Sequence, residues 1–251
     1  MGETIRVVGI LPARLRSSRL PEKALVDIDG LPMFVHTCKR AQLAKSLDDV
    51  YLATDSEKIK EIAETYNIKV IMTGSHHKTG SDRLAEACQG MDCEVVVNIQ
   101  ADEPLVRPEH IDSIVDPLLE DRSLQIAIGV TSYTKKESDS DIKAVLDLES
   151  NIMYCSRNDL PSDVRTTVDV MQKMCFIVPF RKEFLIQFAS WTSTPLETIE
   201  YNEYLRVLEH GVKIRAVRIG NAKISVDTPD DLEEVRRLMK SDDLKAKYSW
   251  K

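Results

Sequence analysis

The sequence predicts a mixed α/β fold, in which a doubly wound, mostly parallel sheet carries an inserted mixed α/β lobe. In the first half of the 251 residues, short apolar runs alternate with amphipathic stretches, which is the strand–loop–helix order of a parallel sheet. From about residue 123 to 220 this alternation breaks, which indicates a lobe inside a single domain of residues 1–251. Ligand-binding loops are expected at the carboxyl ends of the strands.

Apolar periodicity and helix-cap signals assign elements along the whole chain. In the first half we predict strands at 6–11, 50–53, 70–72 and 94–99, and helices at 32–44, from the cap signals of 54–57 to 66, and at 82–88. The strand at 94–99 is expected to be buried on both faces because its valines are consecutive. The lobe is predicted to hold strands at 126–133, 143–147 and 175–179 and a helix at 195–210. A strand at 220–227 and a helix at 228–240 follow.

Composition restricts the possible partners and the compartment. Hydrophobic residues make up 43% of the chain, enough for a full core, and the net charge of −7 argues against a nucleic-acid partner. The apolar runs are too short to cross a bilayer, and the first residues lack a signal-peptide pattern. Five scattered cysteines have no zinc-binding spacing and indicate reduced thiols. We therefore expect a cytoplasmic protein without a membrane segment.

A cationic loop follows the first predicted strand. Residues 11–23 contain no glycine, so they form neither a Walker A loop nor a dinucleotide-binding turn. The loop concentrates four cations and two serines, namely Arg14, Arg16, Arg19, Lys23, Ser17 and Ser18. Cations this close repel one another unless an anion lies among them, and a triphosphate meets that requirement. The alternative is a solvated basic loop.

Two aspartates stand at positions suited to a metal ion. Asp102 follows a predicted central strand, and Asp227 ends the predicted strand at 220–227, just after residues 224–226. Mg²⁺ prefers one or two carboxylates together with substrate phosphates and water. Helix capping is an alternative for the second motif, since Thr228 and Asp231 have capping-box spacing, but it leaves Asp227 outside the cap. For Asp102 the alternative is a loop cap, with Glu103 as the exposed carboxylate.

A series of motifs resembles one enzyme family. Arg-x-x-Ser-x-Arg-x-Pro-x-Lys at 14–23 is similar to the signature of cytidylyltransferases that activate acidic sugars. Matching blocks continue in family order at 29–33, 53–55, 79–86, 98–104, 156–157, 195–197 and 226–232. Together they resemble the 3-deoxy-manno-octulosonate cytidylyltransferase family over nearly the whole chain.

The resemblance implies a nucleotide-diphospho-sugar transferase-like fold and the transfer of CMP from CTP to the anomeric hydroxyl of an acidic sugar, with release of pyrophosphate. It implies Mg²⁺ on Asp102 and Asp227, a homodimer formed through the lobe, and a place in lipopolysaccharide biosynthesis. The implied catalytic residues are Arg14, Lys23, Asp102 and Asp227, and the implied nucleotide-binding residues are Arg14, Ser17, Arg19, Lys23, Arg83 and Gln100.

For two of the implied nucleotide-binding positions, the residue type and its place in the sequence also bear on the role. Gln100 lies two positions before Asp102, so in a strand it points to the same side, and its amide suits the edge of cytosine. For Arg83 the alternative is a surface arginine on the first turn of a helix. Ala101 stands where the family usually has glycine. Its methyl group narrows the space in which the nucleotide can approach the backbone.

The acceptor pocket departs from the family pattern. Arg157 matches the family arginine that pairs with the sugar carboxylate, and Glu203 also matches. Met174, Val178 and Tyr204 replace a His, a Tyr and a Gln of the family. We therefore predict that these five residues bind a variant acceptor, such as a deoxy or amino sugar acid, because the pocket has lost groups that read hydroxyls.

Several alternatives stay open at this point. The acceptor positions could be misaligned, or they could be core substitutions away from the ligand. The acceptor could instead be a sialic-type nine-carbon acid or a phosphonate. The chain could also be a non-catalytic nucleotide-binding or scaffold protein, although the intact Arg14, Lys23, Asp102 and Asp227 argue against that reading.

Overall fold

The computed structural model describes residues 6–15, 20–220 and 225–248. The strands are β1 (Val7–Ala13), β2 (Asp27–Ile28), β3 (Leu31–Pro32), β4 (Asp49–Thr54), β5 (Lys69–Met72), β6 (Val95–Ile99), β7 (Ala127–Tyr133), β8 (Lys143–Leu146), β9 (Ile152–Ser156), β10 (Met171–Cys175), β11 (Ile177–Arg181) and β12 (Arg215–Arg218). The helices are α1 (Met33–Ala41), α2 (Glu57–Thr65), α3 (Gly80–Cys88), α4 (Pro108–Glu120), α5 (Lys182–Ser190), α6 (Pro195–Glu200), α7 (Tyr204–Glu209) and α8 (Pro229–Met239), with 3-10 turns at Lys23–Leu25 and Lys245–Lys247.

The first sheet has the strand order β11-β6-β1-β4-β5, and all its pairs are parallel except β11 with β6. This confirms the predicted doubly wound, mostly parallel sheet. Side chains alternate across β6: Val95 and Val97 enter one core cluster and Val96 enters the other. Every residue of β6 is buried, so the expectation of burial on both faces is confirmed.

The second sheet has the order β12-β7-β10-β8-β9 and is built within the segment predicted as the lobe. That segment also returns β11 to the first sheet, where Ile177 lies opposite Ile99. The predicted strand at 175–179 is therefore wrong as one element, because Cys175 ends β10 and Ile177 begins β11 in a different sheet. The segment 123–220 thus contributes to both sheets.

The predicted helix at 195–210 is also wrong as one element. α6 ends at Glu200, Tyr201 takes a left-handed conformation with φ of 52°, and α7 begins at Tyr204. No glycine or proline marks the break in the sequence. The predicted strand at 220–227 lies partly outside the described residues, and Ser225–Asp227 are not in a strand.

Some elements of the structure were not predicted from the sequence, whereas two predicted helix caps are confirmed. The short β9 and β12, together with α4 and α5, are additions to the predicted set. Ser56 caps α2 and Thr228 caps α8, where Thr228 and Asp231 form a capping box as predicted. Within the described ranges, none of the helices has the length and apolar character that crossing a membrane requires.

The C-terminal segment is fastened to α1 by buried polar groups. Arg40, fully buried, donates from Nε to the Tyr248 hydroxyl at 3.0 Å and makes an ion pair with Asp242. His36 Nε2 lies 2.7 Å from the Ile28 carbonyl, and His36 Nδ1 lies 3.0 Å from the Tyr248 hydroxyl. Because a carbonyl only accepts, Nε2 carries the proton and Nδ1 accepts from the tyrosine. Burial accordingly lowers the pKa of His36 to about 4.

Candidate active site

Lys23 joins the two aspartates that come from opposite ends of the chain. Its Nζ donates to Asp102 Oδ2 at 2.6 Å and to Asp227 Oδ1 at 3.1 Å. The Lys23 side chain is 14% exposed, whereas the two aspartates are 31% and 32% exposed. The structure therefore brings three of the four predicted catalytic residues into one cluster, and solvent reaches the carboxylates.

Charge balance explains why these three groups coexist. Burial alone lowers the pKa of Lys23, but the carboxylates of Asp102 and Asp227 outweigh this effect and raise the pKa overall. Two carboxylates held this close repel each other unless a cation lies between them. The ammonium supplies that cation in the structure, which makes the cluster an inherently cation-binding arrangement.

Backbone contacts fix the positions of the aspartates. Asp102 lies in the turn after β6, and its carbonyl accepts a hydrogen bond from Val226 N at 3.0 Å. Ser225 Oγ donates to Glu103 Oε1 at 3.3 Å, so the same two segments meet twice. The pKa of Glu103 is raised to about 7 by burial and by the Asp102 charge. Asp102, rather than Glu103, is the carboxylate that accepts the hydrogen bond from Lys23.

Helix capping explains the residues that follow Asp227, but it does not explain Asp227 itself. Asp231 accepts hydrogen bonds from the backbone N–H groups of Asp227 at 3.0 Å and Thr228 at 2.8 Å. The carboxylate of Asp227 instead faces Lys23. The helix start therefore aims Asp227 away from α8 and toward the cluster.

The cationic loop is described at its two ends. Arg14 is exposed immediately after β1, at the carboxyl edge of the parallel sheet. Lys23 begins the 3-10 turn after Glu22, which has a left-handed φ of 50°. The predicted nucleotide-binding residues Ser17 and Arg19 lie outside the described residues.

Arg83 is buried rather than a surface arginine. Its Nη1 donates to Thr73 Oγ1 at 2.5 Å, and its Nη2 lies 3.5 Å from Asp55 Oδ1. Thr73 and Asp55 directly follow β5 and β4, so Arg83 lies at the carboxyl edge of the sheet.

Gln100, partly exposed after β6, donates to Asn98 Oδ1 at 3.3 Å. Both predicted nucleotide residues thus lie along the edge that holds Asp102.

Glu203 and Tyr204 belong to a buried polar cluster beneath that edge. Ser81 Oγ donates to Glu203 Oε1 at 2.8 Å, and burial raises the pKa of Glu203. Among the described residues, Glu203 Oε2, the Tyr204 hydroxyl and the Asn98 amide nitrogen are buried without a hydrogen bond of good geometry. Buried polar groups in this state are satisfied by water or by a ligand. Arg206 Nη2 lies 3.9 Å from Glu203 Oε2, so an ion pair within the protein partly compensates this buried carboxylate.

Arg157 is held by main-chain carbonyls. Its guanidinium donates to Asp139 O at 2.9 Å and Ser140 O at 3.1 Å, and its Nε donates to Glu200 O at 3.2 Å. Its backbone N–H donates to the Glu200 carboxylate at 3.1 Å. The guanidinium of Arg157 is thus oriented by neutral main-chain oxygens, while its backbone N–H binds the Glu200 carboxylate.

Met174 and Val178 lie in the hydrophobic core. Met174 is 1% exposed and Val178 is fully buried, and both enter the cluster that contains Phe180 and Tyr204. Phe176, between them, stacks on Tyr204 with ring centroids 5.8 Å apart. This placement matches the alternative in which the replacements are core substitutions.

Sequence reasoning did not assign roles to several polar residues that hold the predicted ones. Thr73 and Asp55 fix Arg83, Glu200 fixes Arg157, and Asn98 lies beside Tyr204. Asn98 had a usable signal, since it is the polar residue inside the apolar run 95–99. Thr73 and Asp55 had a similar signal because each directly follows an apolar strand. Glu200 had no such signal, because its contact with Arg157 depends on where α6 ends.

Comparisons with known proteins identify relatives of this chain. The family model described as Cytidylyltransferase matches residues 8–214. A 3-deoxy-manno-octulosonate cytidylyltransferase from Geobacter metallireducens is 37% identical, over 92% of this chain and 96% of the relative. The enzyme of the same name from Pelobacter propionicus is 38% identical, over 92% of this chain and 96% of the relative.

Solved structures extend the likeness to three dimensions. The structure of a CMP:2-keto-3-deoxy-manno-octonic acid synthetase complexed with CTP superposes with a TM-score of 0.90 at 30% identity, covering 94% of this chain and 99% of that chain. A cytidylyltransferase from Leptospira borgpetersenii gives a TM-score of 0.67 at 16% identity, covering 95% of this chain and 88% of that chain. The second likeness shows a shared fold.

Proposed function

Because the chain belongs to the 3-deoxy-manno-octulosonate cytidylyltransferase family and is a nucleotidyltransferase, we propose that it transfers CMP from CTP to 3-deoxy-manno-octulosonate. The observation that carries this proposal is the meeting of Lys23 with Asp102 and Asp227 at the carboxyl edge of the sheet. The structural relative with a TM-score of 0.90 was solved with CTP, which supports CTP as the nucleotide.

The reaction is an in-line displacement at the α-phosphorus of CTP. The anomeric hydroxyl of the sugar gives its proton to solvent as its oxygen forms the new bond to the α-phosphorus. The bond from the α-phosphorus to the oxygen that bridges to the β-phosphorus breaks, and pyrophosphate leaves with that oxygen. Lys23 and the exposed Arg14 neutralise negative charge on the phosphates as it develops. Arg83 and Gln100 orient the nucleotide along the edge of the sheet. The reaction requires positioning and charge stabilisation, and no covalent intermediate on the protein.

Asp102 and Asp227 are proposed to hold Mg²⁺. The donor set fits, because two partly exposed carboxylates converge on one cationic group and offer the hard oxygen ligands that Mg²⁺ prefers. The ion supplies polarisation of the phosphate and lowers the pKa of a nearby hydroxyl when bound. The part of Lys23 is to hold both carboxylates aimed at the same point before nucleotide binds.

The acceptor is proposed to bind between Arg157 and the buried polar cluster of Ser81, Asn98, Glu203 and Tyr204. The unsatisfied atoms of that cluster support binding of a hydroxyl-rich molecule. Met174 and Val178 are packed in the core, so these two positions give no support to a deoxy, amino, sialic-type or phosphonate acceptor. For this reason 3-deoxy-manno-octulosonate, named for the relatives, is the acceptor we propose.

A homodimer formed through the lobe is proposed on the distribution of exposed apolar side chains. Large hydrophobic residues are exposed in the lobe segment 123–220 at Leu148, Met153, Val164, Val170, Ile199 and Tyr201. A contiguous exposed apolar patch is typical of an association surface, and the proposal requires these side chains to form one. The five free, buried cysteines are consistent with a cytoplasmic location.

The experiment that tests this function is pyrophosphate release from CTP with a panel of acids. The panel contains 3-deoxy-manno-octulosonate, its deoxy and amino analogues, a nine-carbon sialic acid and a phosphonate, each with and without Mg²⁺. We expect release with 3-deoxy-manno-octulosonate only when CTP and Mg²⁺ are both present. A higher kcat/KM with another acid, or equal release without Mg²⁺, would refute the corresponding part of the proposal.

A further inference from the structure

The loop between β5 and α3 places two adjacent histidines opposite a glutamate of α3. Ligand atoms of His76, His77 and Glu86 all lie within 4.8 Å of one another. This group lies outside the cluster of Lys23, Asp102 and Asp227. Neither the proposed reaction nor the motifs of the sequence analysis use the two histidines.

Glu86 is held in a fixed orientation for this group. Gly74 N donates to both of its carboxylate oxygens at 3.1 Å, and His77 Nε2 makes a short hydrogen bond with Oε2. The His77 side chain is only 8% exposed, so its ring is fixed against Glu86. Carboxylates and imidazoles oriented by such supporting contacts are typical of metal sites.

His76 completes the group from the solvent side. A Cβ atom on Gly74 would lie 2.5 Å from two atoms of the His76 ring, so the ring lies directly on the glycine. The rings of His76 and His77 lie with centroids 4.3 Å apart. The absence of a side chain at position 74 thus lets His76 fold back over the loop instead of extending into water.

We propose that His76, His77 and Glu86 bind a divalent transition-metal ion, with Zn²⁺ as the best match. Two imidazoles and one carboxylate, with a fourth position open to water, form a common zinc ligand set. The two nitrogen donors favour a transition metal over Mg²⁺. The ligand set carries one negative charge, which a divalent cation more than balances.

The geometry requires only a small adjustment. In a tetrahedral site with bonds of about 2.0–2.1 Å, ligand atoms lie about 3.3 Å apart. The present separations all lie within 4.8 Å, so the exposed His76 can rotate toward the ion while the hydrogen-bonded His77 and Glu86 move slightly apart. The ion takes the place of the hydrogen bond between His77 and Glu86, so these two ligands already face each other.

Such an ion would tie the loop to α3 beside the candidate active site. The loop starts at Thr73, which contacts Arg83, and ends at Thr79, which caps α3. Binding would therefore restrain the two residues that position the start of α3. The role inferred for this ion is to restrain the loop, and it is separate from the reaction.

The test is calorimetric titration of the metal-stripped full chain with Zn²⁺ in buffer that contains saturating Mg²⁺. We expect one tight equivalent in the unmodified protein and at least about tenfold weaker binding in His76→Ala and in Glu86→Gln. His110→Ala, a histidine of α4 outside the loop, is the matched control and should bind as the unmodified protein does.

Two outcomes would overturn the site: no saturable equivalent in the unmodified protein, or unchanged affinity in His76→Ala. Because His76 is exposed, its variant should keep the circular dichroism spectrum and melting temperature of the metal-free protein. Substitution with Co²⁺ provides a second measurement. An imidazole and carboxylate spectrum supports the site, whereas a thiolate charge-transfer band would assign the metal to cysteine and refute it.

Discussion

The backbone N–H of Val226 donates to the carbonyl of Asp102 at 3.0 Å, which fixes the residue before Asp227 beside the turn after β6. This contact explains how two aspartates far apart in sequence reach the same lysine. Side chains alone would have to order two loops around one cation, at an entropic cost. Here the main chain sets the spacing and Lys23 completes it.

Lys23→Ala should lower kcat and raise KM for CTP together. In the proposed reaction the ammonium contacts the triphosphate in both the ground state and the transition state, and its loss also leaves Asp102 and Asp227 in mutual repulsion. We expect kcat/KM to fall by at least about a hundredfold. Steady-state pyrophosphate release measures both constants. Lys60→Ala, on the exposed face of α2, should behave as the unmodified enzyme.

Met174→Ala should destabilise the fold without changing acceptor recognition. Removing a buried methionine side chain costs about 2–5 kcal/mol in the free energy of unfolding. Urea denaturation measures this loss, and KM for the sugar acid should stay close to that of the unmodified enzyme. Met72→Ala, at an exposed position of β5, is the matched control and should change stability by less than about 0.5 kcal/mol. A raised sugar KM at unchanged stability would instead place Met174 in the pocket.

Asp242→Ala should be strongly destabilising because it leaves a buried charge without its partner. Arg40 is fully buried and Asp242 is its carboxylate partner. Removing one member of such a pair costs about 3–5 kcal/mol. The neighbouring Asp243 is 71% exposed, so Asp243→Ala should be nearly silent in the same denaturation experiment. Equal effects of the two changes would contradict the buried ion pair.

Stability should decrease as pH falls from about 6.5 to about 4 because His36 is buried in its neutral form. The pKa of His36 is lowered to about 4 in the folded chain, chiefly by burial. In that range the unfolded chain binds a proton that the folded chain does not, so its contribution to stability is present above 6.5 and is lost on acidification. The loss should reach about 3 kcal/mol. His36→Gln should flatten this part of the profile measured by thermal unfolding, and an unchanged slope would contradict the assignment.

The first half of the fold could be predicted from sequence because local signals and tertiary structure agree there. Consecutive valines marked β6, and Thr228 with Asp231 marked the start of α8. The lobe was harder because its boundaries depend on tertiary contacts. The chain passes from the second sheet to the first at Phe176 without a turn residue, and Tyr201 breaks a helix without glycine or proline.

The candidate site shows the same contrast. Asp102 and Asp227 could be identified because each stands at a motif boundary, and the structure places both on Lys23. Burial could not be foreseen for Met174 and Val178, because periodicity does not separate a pocket wall from a core. The partners of Arg157 are main-chain carbonyls, which leave no mark in the sequence.

The central claim is that Asp102 and Asp227 act as one unit on the nucleotide, and the measurement that tests it is kcat for Asp102→Asn, Asp227→Asn and the double variant. Each single change should lower kcat by at least about a hundredfold. The double variant should be little worse than either single variant, because groups that act together are not additive. Asp230→Asn, exposed on the first turn of α8, should retain normal turnover. Near-normal kcat in either single variant, or fully additive losses, would contradict the account.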